Sequence, residues 1–314
     1  MGGPAQVVTT RRAVAGALLV TAAACLAAWA LAYPVGALSA ALVRAVADGA
    51  AVVTLGLVIV PALDGSRYRA ELRRRATVPA VAASAVWVVS ELVRVVFGTA
   101  EAAGVGAGRV AVRTVWEFVV YTAPGRAGLI TVAAAAGVCA VVSLAPRSDS
   151  AGVAAAGLAG IGIVSHPLTG HLSDSGVGGI AIAVHMLAAA LWCGVLAALV
   201  LTVDHRGQWA RVLPRFSALS LLCVAALLAG GVVAGLVIMD SPAQLYSNGW
   251  GRVLSAKIAL TVALTVLAWR NRTLWLPAAQ GHRATAEVSR SRAYTELALM
   301  ATALALAASL AVTS

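Results

Sequence analysis

Three histidines within twenty residues are the side chains of this chain best suited to metal chemistry. His166, His171 and His185 lie where long apolar segments meet a polar loop, whereas His205 and His282 lie in arginine-rich segments. Neutral imidazole is a good ligand for copper and other transition metals, and it is also an axial ligand of haem. The clustering therefore predicts a metal or haem site at His166, His171 and His185.

The residues around these histidines suit a binding loop. Proline and several glycines between His166 and Gly179 favour turns, and His185 falls about two turns into the following apolar segment. Carboxylate is a hard ligand or a hydrogen-bond acceptor for a ligand, and cysteine or methionine sulfur favours the cuprous ion. The secondary candidate ligands are Asp174, Cys193 and Met239.

The segments that must position these side chains are membrane-spanning helices. Hydrophobic residues make up 61% of the chain, charged residues 11%, and the mean hydropathy is +0.91. About 20 apolar residues cross a membrane as a helix. The sequence therefore predicts an all-α polytopic transmembrane bundle of about nine helices. We place them at residues 14–33, 37–63, 77–98, 126–145, 151–165, 178–203, 215–238, 252–269 and 294–312.

The net charge of +11 follows membrane topology. Arginines concentrate in alternate loops, as expected of cytoplasmic loops in membrane proteins. This distribution predicts a cytoplasmic N-terminus and places the histidine loop, residues 165–177, on the extracytoplasmic side. It also argues against nucleic-acid binding, which would require a basic patch on one domain surface. Membrane lipid is the expected surrounding partner.

Several charged residues fall inside or near the predicted spans, where a lone charge is costly. Arg44 with Asp48, and Glu91 with Arg94, are spaced to pair within one helix. Lys257, the only lysine, lies about one turn into its span and either extends outward or lies in the bundle interior. We expect these residues to form structural ion pairs at the outer interface or to line an ion pathway.

The tryptophans suggest a second membrane feature. Tryptophan is enriched where lipid headgroups meet the hydrocarbon, because its ring is amphipathic. The eight tryptophans lie mostly near predicted span ends, which predicts an interfacial belt. They are Trp29, Trp87, Trp116, Trp192, Trp209, Trp250, Trp269 and Trp275.

Weak self-similarity indicates two related halves. Residues 121–126 and 246–252 each pair a tyrosine with a following Gly-Arg at the start of a span, and Gly56 lies mid-span as Gly194 does. The repeat would be parallel, with two four-helix units and one extra helix. The predicted units are residues 1–150, with about four helices, and residues 151–314, with about five.

From Ile163 onward the chain resembles the CopD copper-resistance membrane family. The first half resembles that family only in hydropathy. The ordered landmarks are the histidine loop, Val184–Gly194, Leu213–Ser217, Tyr246, Gly251 with Arg252, Lys257, Trp269–Arg272 and Glu296.

The resemblance implies a bacterial plasma-membrane protein that handles copper and carries it inward, often beside a periplasmic CopC-like copper-binding protein. Residues alone leave two alternatives open: a haem-binding electron-transfer or cytochrome-assembly component, and a scaffold subunit without metal. Copper tolerates a trio of histidines borne on a loop, whereas haem requires axial histidines from the helical bundle itself. No phosphate-binding loop, nucleophile elbow or HExxH motif occurs, so we do not expect an enzyme.

Overall fold

The computed structural model describes residues 4–33, 37–169, 176–239 and 241–313, with side chains described from residue 14 onward. Regular structure in these ranges is entirely helical. A π-helix, Asn271–Trp275, interrupts the chain between two of the α-helices. The α-helices are α1 (Pro4–Ala32), α2 (Leu38–Ile59), α3 (Ser66–Ala102), α4 (Val112–Tyr121), α5 (Ala123–Leu144), α6 (Asp149–Ser165), α7 (Gly176–Thr202), α8 (Arg206–Ile238), α9 (Gln244–Ser247), α10 (Gly249–Arg270), α11 (Leu276–Gln280) and α12 (Ala286–Thr313).

Each of the nine predicted spans coincides with a helix, and eight of these helices are long. Eight helical segments of the described chain are long and apolar enough to cross a membrane. The ninth, α6, is a shorter apolar helix of 17 residues. A helix satisfies every backbone hydrogen bond internally, which a spanning segment in hydrocarbon requires. The structure confirms the all-α polytopic bundle.

The helices run alternately up and down, so their ends form two faces. The histidine face carries the C-terminal ends of α1, α3, α6, α8 and α12 and the N-terminal ends of α2, α5, α7 and α10. The arginine face carries the opposite ends. Helix α2 lies centrally and packs against α3, α6, α7 and α12, while α1 packs against α12 and α10. The buried core is formed mainly by α2, α3, α7 and α8.

The crossing of α2 and α7 depends on two glycines. A Cβ atom on Gly56 would lie 1.8 Å from the carbonyl oxygen of Gly194, and one on Gly194 would lie 2.1 Å from the carbonyl oxygen of Val52. Such distances mean that the two backbones touch. Small residues allow this approach, and van der Waals packing is the main attraction between helices in lipid. These glycines hold the centre of the bundle together.

Ion pairs on the arginine face connect α3 to the segment after α7, and α8 to the segment after α2. Arg75 of α3 donates to Asp204, which follows α7, at 2.7 Å. Arg211 of α8 donates through Nε and Nη2 to Asp64, which follows α2, at 3.2 Å each. Arg290 of α12 also donates to Asp204, at 2.6 Å. The first two pairs each join a helix of one half to a loop of the other half, and the third joins a helix and a loop of the second half.

We expect Asp64→Asn to lower the free energy of unfolding by about 1–2 kcal/mol, because the substitution removes a buried charge that accepts two hydrogen bonds from Arg211. The Asp64 side chain is 3% exposed. Thermal unfolding in detergent measures the effect. Asp149→Asn is the matched control: it breaks the pair with Arg73, but its side chain is 75% exposed, so the loss of stability should be clearly smaller. Equal losses in the two variants would contradict the prediction.

Two segments matched in sequence also share a local structure. Thr122 caps α5 by accepting from the backbone N–H of Gly125 at 3.0 Å, and Asn248 caps α10 by accepting from Gly251 at 2.7 Å. Both glycines press against a carbonyl of the preceding short helix. This agreement is what a repeat predicts. The division into residues 1–150 and 151–314 stays a prediction.

The interfacial belt of tryptophans was predicted wrongly for half of its members. Trp87, Trp192, Trp209 and Trp275 are each no more than 3% exposed. Trp209 and Trp275 pack on each other, with ring centroids 5.7 Å apart. Proximity to a span end does not say whether a ring faces lipid or the neighbouring helices, and here these four rings fill the core.

Candidate functional site

His166 lies directly after α6 and is held by a buried carboxylate. Its Nε2 atom lies 2.5 Å from Oε1 of Glu91, which projects from α3 and has a side chain only 1% exposed. An ionised carboxylate only accepts hydrogen bonds, so Nε2 donates. Burial lowers the pKa of His166 below its ordinary value, although the hydrogen bond to Glu91 opposes this. A neutral imidazole held in this way keeps the lone pair of Nδ1 for another partner.

The carboxylate that holds His166 belongs to a chain of charges between α2 and α3. Arg94 lies 3.5 Å from Glu91 and 3.4 Å from Asp48, and Arg44 lies 3.7 Å from Asp48. The charges of the two arginines and the two carboxylates sum to zero when His166 is neutral. Three atoms of this chain are buried without a hydrogen-bond partner in the described structure: Arg44 Nε, Arg94 Nη2 and Glu91 Oε2. Ordered water or an ion commonly satisfies such atoms.

His185 projects from α7 towards α8. Its Nδ1 atom lies 2.8 Å from the carbonyl oxygen of Leu227 and donates to it. Gly231 leaves room for the ring, because a Cβ atom there would lie 3.0 Å from His185 Nδ1. Gly230 lets α8 approach the backbone of α7, because a Cβ atom there would lie 2.6 Å from the carbonyl oxygen of Ala181. Nε2 is then the nitrogen with an available lone pair. His185 is thus oriented like His166, with one ring nitrogen fixed by the protein.

Lys257 of α10 lies close enough to His185 for their charges to interact. No carboxylate pairs with Lys257 among the ion pairs of the described ranges. A cationic neighbour disfavours a metal cation at His185, so this histidine is a weaker lone ligand than His166. The role of Lys257 in an ion pathway stays a prediction.

The predicted trio of His166, His171 and His185 is only partly visible. His171 and Asp174 lie outside the described residues. Within the described part of the chain, no three His, Cys, Asp or Glu side chains come together as a metal site. Met239, half-buried, directly follows α8 on the histidine face. The ligand set therefore stays a prediction.

A second polar cluster lies deeper in the bundle, where α7, α10 and α12 meet. Glu296 of α12 is 2% exposed. Its Oε1 accepts from Trp192 Nε1 at 3.1 Å, and its Oε2 accepts from Asn271 Nδ2 at 2.6 Å. Asn271 begins the π-helix, a feature often found at functional sites. Glu296 was named from the sequence only as a landmark of the family resemblance and not as a ligand, although an acid inside an apolar span is itself a signal of a functional site.

Two family models together match most of the chain. Residues 35–180 match the N-terminal domain of copper resistance protein D-like proteins, and residues 210–310 match copper resistance protein D. The chain belongs to the copper resistance protein D family. The eight candidate spans of the described residues accordingly make it a multi-pass membrane protein of a copper-resistance family. No curated protein and no solved structure matched the chain.

The match to the N-terminal domain of copper resistance protein D-like proteins corrects one expectation about the first half. That half was expected to resemble the family only in hydropathy, but the N-terminal model covers α2 to α6 and reaches His166. Alanine and valine dominate these helices, so the few polar side chains that distinguish them are widely spaced along the chain. Asp48, Glu91 and Arg94 are among those polar residues and lie within the matched range.

Proposed function

We propose that this chain captures copper at the histidine face through His166, His171 and His185 and moves it across the bacterial plasma membrane. The observation that carries the proposal is the hydrogen bond between Glu91 and His166. Histidines that bind metals usually donate their second ring N–H to a carboxylate or carbonyl, which fixes the ring and strengthens the free nitrogen as a ligand. Membership of a copper-resistance family supports copper as the cargo.

The two described histidines of the predicted trio both have this arrangement. His166 is fixed through Nε2 by a carboxylate, and His185 through Nδ1 by the Leu227 carbonyl. The free nitrogens are therefore Nδ1 of His166 and Nε2 of His185. Glu91 and Asp48 offset the charges of the two arginines near His166, whereas no carboxylate pairs with Lys257 near His185 among the described residues. His166 is therefore the stronger ligand of the two.

The distribution of charge supports an orientation for this transport. Arginines concentrate on the arginine face, which we therefore place in the cytoplasm together with the N-terminus. The histidine face then lies outside the plasma membrane, where a periplasmic CopC-like copper-binding protein would deliver its ion. Arg44, Asp48 and Arg94 stand behind Glu91 and keep its charge balanced within the membrane.

Copper analysis of the purified protein tests the proposal. We expect protein in detergent to retain close to one copper ion per chain at the histidine face, and the double variant His166→Ala, His185→Ala to lose it. His282→Asn is the control, because His282 lies on the arginine face at a positive φ of 54° that asparagine tolerates. Equal copper in the double variant would contradict the capture site, and a Soret band in the wild type would indicate haem instead.

A further inference from the structure

The Glu296 carboxylate is a buried anion with only neutral partners. Trp192 and Asn271 both donate N–H groups to it, and no arginine, lysine or histidine forms an ion pair with it among the described residues. Arg272, which lines the same small cleft, instead donates to the carbonyl and hydroxyl oxygens of Ser217, at 2.9 and 2.8 Å. An unpaired charge inside a membrane protein is costly and usually marks a site where a cation or proton joins it.

Sulfur ligands lie beside this carboxylate. Cys193 directly follows Trp192 on α7, is buried and unpaired, and is close enough to Glu296 for their charges to interact. Met300 is 3% exposed and follows Glu296 by four residues, so both lie on one face of α12. The buried stripe of Ser289, Ala293, Glu296 and Met300 is the face that α12 turns to the bundle core.

The register of the helices places these groups inward of His185. Cys193 follows His185 by eight residues on the same helix, which is about 12 Å along the axis. Helix α12 runs antiparallel to α7, so Met300 lies about 6 Å from the level of Glu296 towards the histidine face. Met300 therefore falls between the levels of Cys193 and His185 along the bundle.

We propose that Cys193, Met300 and Glu296 form an intramembrane site for a cuprous ion where α7 packs against α12. Thiolate and thioether sulfur select the cuprous ion. The thiolate of Cys193 balances the single positive charge of the ion, and Glu296 takes up the proton that the thiol releases. The inference rests on the proposed function in taking copper as the cargo. It adds a site on the inward side of the histidine face, so that copper has a second position within the bundle.

Polar side chains also approach Glu296 from the side of the arginine face. A small cleft reaches Glu296 between α8 and the π-helix, and its polar lining includes Ser217, Ser220, Asn271 and Arg272. Hydroxyl and amide groups can replace part of the hydration shell of an ion as it moves through low-dielectric surroundings. The cleft lies in the half of the bundle nearer the arginine face, which is where an ion moving away from His185 would leave.

X-ray absorption of the cuprous protein tests the site. Purified chain in detergent is loaded with cuprous ion under argon, and the ligand shell and the bound equivalents are measured. We expect sulfur scattering in the wild type. Cys193→Ser should lose both the sulfur scattering and one equivalent of bound copper. Met300→Leu conserves volume and should weaken the sulfur signal, and Glu296→Gln should weaken binding without changing the sulfur shell.

Two controls separate this site from the histidine site. Cys223→Ser changes another buried cysteine, on α8, and should leave the sulfur scattering unchanged. The double variant His166→Ala, His185→Ala should lose nitrogen scattering and keep the sulfur. A wild type with nitrogen and oxygen ligands alone, or Cys193→Ser with an unchanged spectrum and a native melting temperature, would overturn the inference while leaving the histidine site standing. Sulfur scattering with no copper lost in the histidine variant would overturn the capture site alone.

Discussion

Replacing Gly56 with alanine is expected to lower the free energy of unfolding by about 3 kcal/mol or more. The added methyl group would lie 1.8 Å from the Gly194 carbonyl oxygen. Backbone cannot move aside as a flexible side chain can, so α2 and α7 must separate along their crossing. Because α2 also packs against α3, α6 and α12, the loss of contacts spreads through the core. A fall in the melting temperature and in the yield of monodisperse protein measures the effect.

Gly49→Ala provides the matched control for this substitution. Gly49 lies in the same helix, two turns earlier, and a Cβ atom there meets nothing within 4 Å. Alanine is the better helix former, so this variant should be unchanged or more stable by about 0.5–1 kcal/mol. If Gly56→Ala melted at the temperature of Gly49→Ala, the backbone contact between α2 and α7 would be wrong.

Replacing Glu91 with glutamine is expected to weaken copper binding at the histidine face by about 10–100-fold, the usual cost of losing the residue that orients a metal ligand. Glutamine has nearly the same volume and can still accept from His166 Nε2. It lacks the negative charge that makes the imidazole a stronger ligand and that pairs with Arg94 at 3.5 Å. Competition with a copper chelator measures the affinity, and the number of bound ions should stay the same.

Glu117→Gln is the control for Glu91→Gln. It also removes a carboxylate paired with an arginine, Arg113 at 2.8 Å, but on the exposed helix α4. Copper affinity should be unchanged in this variant. The melting temperature distinguishes the loss of His166 orientation from a general loss of structure. We expect Glu91→Gln to bind copper weakly even at temperatures where the variant is fully folded. Equal affinities for the two variants would remove Glu91 from the proposed site.

The helices were predictable because their cause is local. Each apolar stretch of about 20 residues needs no information from elsewhere in the chain to become a span. The bounds differ mainly where polar residues extend a helix beyond the hydrocarbon, as at Ser66–Ala76 of α3 and at Arg206–Pro214 of α8. Pro79 and Pro214, which often end helices in water, lie inside these two helices.

The partners within the sites were not predictable from local pattern. Spacing within α3 suggested that Glu91 pairs with Arg94, and the two do lie 3.5 Å apart, but the shorter contact joins Glu91 to His166, 75 residues later. Glu296 likewise meets Trp192 across 104 residues. Hydropathy places all these residues in the membrane without saying which faces of the helices meet. Only tertiary packing determines that choice.

The contact between Gly56 and Gly194 also imposes a waiting time during synthesis. Gly194 is synthesised 138 residues after Gly56. At roughly 5–20 residues per second, α2 therefore spends on the order of ten seconds without α7, the helix that packs against Gly56. During that interval lipid or a membrane chaperone must cover this surface of the nascent chain. The first half of the protein therefore matures only when the second half has been translated.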